Sequence, residues 1–525
     1  MIRINEIKLP LEAEEALLPS LAAKALKIPT SDIKSYSVFR KSLDSRKKND
    51  IKFIYAVDVE LGADEDKVLR RAHNPKAAKV EQYTYTLPEN RRKTDLRPVV
   101  VGFGPAGMFA ALSLARAGLC PLVLERGECV EQRQNSLKAF WKTRQLNPDS
   151  NVQFGEGGAG TFSDGKLFTQ TKSPLNRDVV ETFVRFGAPE EVAYLGKPHI
   201  GSDNLVTVVR NMRNHILKEG GEIRFSSLFT GARFREGKLV SVTVNGVNED
   251  ADELVLAVGH SARDTFEKLL GGGFLIEQKE FAAGVRIEHL QSKISKAQYG
   301  AGYSALPAAD YKLVSHAGER AAFTFCMCPG GEVIPSASEE GGVVVNGMSN
   351  FARDKRNANS ALVVQVKKED FGSEHPLAGV AYQRRIEEAA YRSAGKNMKA
   401  PVQLVGDFLA DKESYYFGEV RPSYSVGTEF VPMRAILPEV ITDTLRKAIV
   451  DMNFRLSGFA AFDAVLTGVE TRTSSPVRIL RDGNLEAAGF HGVYPCGEGA
   501  GYAGGITSSA ADGLRAAEAL ASKYF

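Results

Sequence analysis

Three glycine-rich stretches hold most of the residues in this chain whose type and spacing could do chemistry. The first is Gly102-Phe103-Gly104-Pro105-Ala106-Gly107, lying between an apolar run at 98–101 and an Ala/Leu-rich segment. A strand, a glycine turn and a helix in that order make a dinucleotide site. Gly102 permits the tight turn, Gly104 lets the backbone approach a pyrophosphate, and Gly107 lets the helix pack closely on the strand. Pro105 suits the first helical position, Ala106 follows it, and the free N–H groups there meet phosphate charge. A second strand at 122–124 ends on Glu125, 23 residues after Gly102, where a carboxylate accepts hydrogen bonds from ribose hydroxyls. Arg126 comes directly after it as a further cofactor-binding candidate.

The second stretch spans residues 151–167. Gly155, Gly157, Gly158 and Gly160 would let backbone lie against a flat ligand, and Thr161, Ser163, Asp164 and Lys166 add polar groups. A flexible glycine loop is the competing reading. A strand at 252–258 then ends in Ala257-Val258-Gly259-His260, where small residues again admit a ligand beside the backbone. The third stretch, 492–499, reads as a strand followed by an acidic loop with Gly497 and Glu498. A helix beginning near Gly505 and Ile506 follows, and its N-terminus would face an anionic group.

Several elements must position these groups. The helix over about 106–117 turns Ala110, Ser113 and Ala117 to the sheet, a further helix is expected over about 204–219, and turn signals at Glu236-Gly237 and Asn245-Gly246 divide a β-rich segment. Before the fingerprint, a strand at 2–9, a helix at 12–27 and two strands near 33–42 and 51–61 give βαββ order, compatible with a small ferredoxin-like α+β domain. A polar, basic connector at 88–97 closes that module.

Composition sets the outer limits. A chain of 525 residues holds about three domains, and its 43% apolar and 25% charged content is that of a globular protein. No apolar run approaches a membrane span and the opening MIRINEIKLP lacks a signal-peptide pattern, so a cytoplasmic protein without membrane contact is expected. Five cysteines form no disulfide framework. Residues 1–97 carry 20 Lys and Arg against 15 Asp and Glu, or +5 of a net +3. The basic tip Arg46-Lys47-Lys48 could touch nucleic acid, but no aromatic RNA-binding signature accompanies it and a solvated turn is favoured.

With GFGPAG and Glu125, the strand end at Ala257 and Gly259, and the late CGEGAGYAGGI together, the chain resembles the glutathione-reductase-type FAD fold of the two-dinucleotide-binding flavoproteins. More narrowly, it is similar to a bacterial group described as FAD-dependent, or NAD(FAD)-utilising, dehydrogenases, whose members also carry a small N-terminal domain. The resemblance implies an α/β protein: a Rossmann-like FAD-binding domain, an inserted mixed-sheet substrate domain and a small N-terminal α+β domain. The expected divisions are 1–95, 96–272, 273–457 and 458–525, the second and fourth forming the FAD domain. The ADP half would sit on the first stretch, Glu125 would hold the adenosine ribose, and Glu498 the pyrophosphate and ribityl region. N–H groups around Gly505 and Ile506 would face the flavin's pyrimidine edge, and residues 154–166 would lie along the ribityl chain and ring.

Three departures from that pattern matter. Glu498 stands where many relatives have Asp, one methylene shorter. A second G-x-G-x-x-G is missing, since Gly271–Gly273 and Gly300–Gly302 lack the required flanking elements, so a nicotinamide would dock without its own Rossmann domain. A C-x4-C disulfide beside the flavin is also missing, which disfavours a glutathione-reductase mechanism.

In the middle region, alternation along a strand would place Cys326 and Cys328 on one face, where they could form a dithiol pair, meet the flavin or share a metal. No second ligand pair accompanies them, which counts against zinc, and inert buried cysteines are the favoured alternative. Arg472, in the donor-rich segment 470–476, could hold an anionic substrate group, with a plain Ser/Thr turn equally weighted. His260 and Arg263 are second-rank candidates. These readings predict an FAD-dependent oxidoreductase exchanging a hydride with a small-molecule substrate, with NAD(P)H as a candidate reductant. A nucleic-acid- or protein-binding factor that keeps FAD as a structural or redox-sensing element is the alternative.

Overall fold

A computed structural model describes residues 1–81, 85 and 96–524. Residues 88–95 of the expected connector lie outside the described residues.

The first 79 residues form a four-stranded antiparallel sheet. Ile33–Asp44 pairs with Lys52–Leu61, which pairs with Ile2–Pro10, which pairs with Ala77–Lys79. Helices Leu18–Leu26 and Glu65–Ala72 complete a βαββαβ ferredoxin-like unit. The expected long first helix is a 3-10 turn at Glu15–Leu17 and then the α-helix, because Pro19 fits only its first turn. The second helix is stopped from fraying by Asp64, whose carboxylate accepts the N–H groups of Asp66 and Lys67. This unit is pinned to the rest of the chain through Lys41, whose backbone exchanges hydrogen bonds with Tyr194 and Gly196 at 2.7 Å each.

A five-stranded parallel sheet carries the glycine fingerprint. Its order is Val493–Pro495, Leu254–Leu256, Val99–Val101, Leu122–Leu124, Glu222–Arg224. Three of the central strands are wholly apolar and buried on both faces, as parallel strands covered on each side must be. Helices Pro105–Arg116 and Ile506–Ala521 pack against each other on one face of this core. Gly107 allows that helix to approach its strand, since a Cβ there would fall onto the carbonyl of Gly102, with the Gly102 carbonyl carbon at 3.0 Å. A three-stranded antiparallel ribbon, Phe229–Arg235, Lys238–Val244 and Val247–Asp250, caps the other face. Both its turns have two residues at positive φ, Glu236-Gly237 and Asn245-Gly246, the geometry that twisted hairpins require.

The remaining large layer is an eight-stranded, mostly antiparallel sheet built around Phe281–Leu290, Ala322–Pro335, Asn357–Val366 and Val465–Glu470. Helices Ala378–Ser393 and Glu439–Arg455 pack into its apolar core. Phe281–Leu290 is buried at every position although it contains Arg286, Glu288 and His289, so those three must find partners inside the protein.

Candidate active site

One cleft runs between the C-terminal ends of the parallel sheet and the eight-stranded sheet. It is lined by Gly102, Gly104, Pro105, Ala106, Glu125 and Arg126 from the fingerprint. Gly155, Gly158, Gly160 and Lys166 come from the second glycine stretch. Ala257, Gly259 and His260 end the third strand, and Glu498, Gly505 and Ile506 come from the C-terminal stretch. From the other sheet come Phe325, Cys326, Asn346, Glu470 and Arg472.

Two helix N-termini open onto this space, at Gly104 and at Gly505, and no side chain caps either. Their first-turn N–H groups are left to a ligand, and both helix dipoles favour an anion there. Gly102 has φ +92 and its missing Cβ would meet the carbonyl carbon of Ala257 at 2.9 Å, so this turn accepts glycine only. Gly104 is different: its Cβ would touch nothing but Gly158 Cα at 3.7 Å. The space at Gly104 is therefore reserved for something outside the chain.

Glu125 is buried and its carboxylate accepts from the N–H groups of Phe103, Gly127 and Gly155 at 2.7, 2.9 and 3.0 Å. That ties the fingerprint turn to the second glycine loop and leaves about one acceptor site of the carboxylate's four for a ribose hydroxyl. Arg126 is held by Asp149 and Asp264 at 3.0 Å and lies over Phe154.

The second glycine stretch is an organised loop wrapped around Arg133, which the sequence reading did not single out. The guanidinium is fully buried and donates to the carbonyls of Asn151, Val152, Glu156 and Gly158 at 2.6–3.0 Å. Gly155, at φ +115, leaves room for the arginine stem, which a Cβ would strike at Arg133 Cδ, 2.5 Å away. Gly157 and Thr161 do not line the cleft; Thr161 donates to the Glu156 carbonyl at 3.2 Å and the pair packs the loop on Val209. Asp164 is also behind the cleft wall, sealed from solvent, binding Lys166 at 2.7 Å and Arg353 at 2.6 Å and accepting from Ser349. Its placement fixes Lys166 on the cleft surface. Gly497 likewise turns the chain at φ +78 behind the wall, donating to Asp512 at 2.8 Å.

Arg472 reaches the cleft from within a buried charge cluster. Glu387 receives Arg472 at 2.8 and 3.1 Å and Arg263 at 2.8 and 2.9 Å, and Arg472 also donates to Ser338 and Ser261. Burial alone would raise the Glu387 carboxyl, but the two guanidinium groups outweigh it and hold it well below the usual range. His260 shares a hydrogen bond at 2.9 Å with the Arg472 carbonyl, and burial, with Arg472 beside it, pushes its pKa down to about 4. His260 is thus a neutral ring near neutral pH.

Cys326 lines the cleft and Cys328 lies behind it, but not by simple alternation. The strand's pairing slips on both sides of Cys328, and Cys326 has φ +44, so bulges replace the expected flat face. Arg286 fills the pocket behind: it donates to Asn359 at 2.8 Å, to Asn346 and Glu470 at 3.1 Å and to the Cys326 carbonyl at 2.6 Å. Burial raises Glu470 to about 7 even with Arg286 beside it, and burial likewise raises Glu498 to about 7, partly offset by Lys279. Two cleft-lining carboxyls therefore change protonation near neutral pH. Among the described residues no group of three or more His, Cys, Asp or Glu could hold a metal.

These features fit a flavin dinucleotide: two uncapped helix ends, a backbone cradle cleared by glycine, a buried carboxylate at the end of the second strand and a wall of titratable groups beyond. Residues 96–322 match the family model of pyridine nucleotide-disulphide oxidoreductases, residues 280–473 that of the C-terminal domain-like region of FAD-dependent proteins, and residues 1–60 a domain of unknown function. The protein is an FAD-dependent oxidoreductase. It belongs to the family of a Clostridium beijerinckii protein named "Uncharacterized protein", with which it shares 47% identity over 528 residues, 100% of this chain and 99% of the relative. Among solved structures it is similar to glycine oxidase from Geobacillus kaustophilus, at 10% identity over 81% of this chain and 94% of that one with a TM-score of 0.37. It is also similar to L-amino acid deaminase from Proteus vulgaris, at 11% identity over 84% and 96% with a TM-score of 0.32.

Proposed function

We propose that this chain transfers a hydride equivalent between a small-molecule substrate and its FAD, with NAD(P)H as the reductant in one half-reaction. The observation that carries the reading is that one cleft joins the uncapped helix ends at Gly104 and Gly505 to the titratable wall of Glu470, Glu498 and Cys326. Bound FAD supplies the two-electron chemistry. The chain's own residues would bind and orient it: the helix end at Gly104 would offset diphosphate charge, the one at Gly505 would face the flavin's pyrimidine edge, Glu125 would take a ribose hydroxyl, and the Arg133-held loop would lie along the ribityl chain and ring. Glu470 and Glu498, each with a pKa of about 7, hold the proton that accompanies each electron pair. The region 273–457 acts as the substrate-facing domain in this reading, and Arg472 orients an anionic group on the substrate.

A nicotinamide would approach over Phe168 and Phe325, cleft-lining rings left 59% and 41% exposed, which offer a stacking surface in place of a second nucleotide-binding fold. No helix among the described residues is long and apolar enough to cross a membrane, and we read the chain as cytoplasmic. Nucleic-acid binding through the N-terminal unit ranks below this, since Arg46 at its basic tip is paired with Asp44 at 2.7 Å.

The test is an anaerobic absorbance titration of the yellow protein with NADH and NADPH separately. Rapid bleaching of the flavin band by one of them is expected. A flavin that dithionite reduces but neither nicotinamide touches would sink the nicotinamide half-reaction.

A further inference from the structure

Cys326 is half-buried on the cleft wall, while Cys328, two residues on, is sealed from solvent. The Cys328 thiol donates to the Cys326 carbonyl at 3.3 Å, and Arg286 donates to that same carbonyl and, at 3.8 Å, to Cys328 Sγ. Lys166, itself held by Asp164, lies on the same cleft wall. The chain accepts considerable cost to build this corner. It puts a non-glycine residue, Cys326, at φ +44, breaks the strand ladder twice, and buries an arginine that needs Gly347 to lack a side chain, since a Cβ there would fall 2.6 Å from the guanidinium carbon. Two inert core cysteines would require none of it.

We propose that Cys326 and Cys328 are a redox-active pair that reduces a small-molecule disulfide, with Cys326 the attacking thiolate at the cleft and Cys328 the resolving thiol. This rests on the FAD reading above, because electrons from reduced FAD are needed to reset the pair. The chemistry balances as follows. Cys326 Sγ, as the thiolate, attacks one sulfur of R–S–S–R′; that S–S bond breaks and R′S⁻ leaves, taking the proton of Cys328. The Cys328 sulfur then attacks Cys326 Sγ and expels RS⁻, which is protonated from solvent. The substrate has gained two electrons and the pair has lost two, closing as a Cys326–Cys328 disulfide. Two electrons from reduced FAD and one proton return it to thiolate and thiol.

The electrostatics agree with these roles. The neighbouring Cys328 thiol, then Lys166 and Arg286, hold Cys326 well below the ordinary thiol range, while Cys326 and burial push Cys328 well above it. The attacking sulfur is charged at neutral pH and the resolving one keeps its proton until the mixed disulfide forms.

The test uses the FAD-loaded full chain with dithiobis(nitrobenzoate) as the disulfide probe, in a background with C120S and C129S. Two equivalents of nitrothiobenzoate should be released, quickly even at pH 5, and peptide mass spectrometry should find Cys326 linked to Cys328 with no probe retained. C328S should release one equivalent and keep the other on Cys326. C326S should lose the fast phase. The measurement on the C120S/C129S parent decides the matter even if a further variant fails to fold. A yellow, nicotinamide-reducible protein in which Cys326 and Cys328 react only after denaturation would overturn the dithiol and leave the flavin reading standing. A disulfide that closes in a protein unable to bind FAD would remove the electron source and overturn the proposed turnover.

Discussion

Gly104→Ala and Gly107→Ala lie three residues apart in one motif, and the structure predicts that they fail in different ways. At Gly107 the added Cβ falls on the Gly102 carbonyl, backbone against backbone, and 3.4 Å from Val100 Cγ1. Neither partner is a flexible side-chain end, so the helix must move off its strand at about 3 kcal/mol, the upper end of the overpacking range. At roughly 2–4 °C per kcal/mol for a unit of 150–250 residues, the apoprotein should melt about 6–12 °C lower. At Gly104 the Cβ meets only Gly158 Cα at 3.7 Å, and the backbone, φ −79, is one that alanine adopts. The G104A apoprotein should therefore melt within about 1–2 °C of wild type, as expected for a change of ~0.5 kcal/mol or less. On the proposed reading, the methyl group nevertheless occupies the space where a diphosphate would meet the helix end. An overpacking cost of about 1–3 kcal/mol borne by the ligand weakens FAD binding by roughly 5- to 150-fold. Thermal melts of both apoproteins and a fluorescence-quenching titration with FAD read the two effects separately. Unchanged FAD affinity in G104A, or a wild-type melt in G107A, would refute the assignment of turn and phosphate space.

Further expectations concern the buried charges. Arg133→Met leaves four loop carbonyls without their donor, at ~1–3 kcal/mol each if none finds water, so the variant should be purified without flavin while retaining far-UV circular dichroism. Glu387→Gln strands two guanidinium groups and should cost about 3–5 kcal/mol in urea denaturation at pH 7. Because Glu387 is depressed in the folded state, its contribution is fully present above the unfolded carboxyl range and lost as pH falls, so the gap between wild type and E387Q should narrow from pH 5 toward pH 3. A gap that is constant with pH would exclude the ion cluster as its origin. Glu470→Gln should remove a titration near pH 7 from the pH profile of flavin reduction, whereas an unchanged profile would transfer that role to Glu498.

What the sequence revealed and what it hid have physical causes. The fingerprint is local: strand, turn, helix and acid follow within 30 residues, so each glycine's task could be read from its neighbours, and the paired helix end at Gly505 followed from the late glycine-rich loop. Gly157, Thr161, Asp164 and Gly497 carry the same residue types but stand behind the wall, and only three-dimensional packing separates a glycine that faces ligand from one that admits an arginine or a turn. The second helix and fourth strand of the N-terminal unit went unread because both are short, the helix mostly charged and the strand only three residues long. Glu387 joins Arg263 and Arg472 across 124 and 85 residues, with nothing local to distinguish it from Glu388 beside it. Arg286 did leave a signal, a lone cation inside the apolar run Phe281–Leu290, and a buried arginine there implied a partner network.

The most direct test of the account is the flavin content of the purified protein. Heat- or acid-released cofactor, separated by chromatography and quantified against absorbance of the chain, should be FAD at close to one per chain, and G104A should hold markedly less. A colourless protein that no incubation with FAD converts to the yellow form, or one that releases FMN instead, would contradict the reading of the cleft from Gly102 to Glu498.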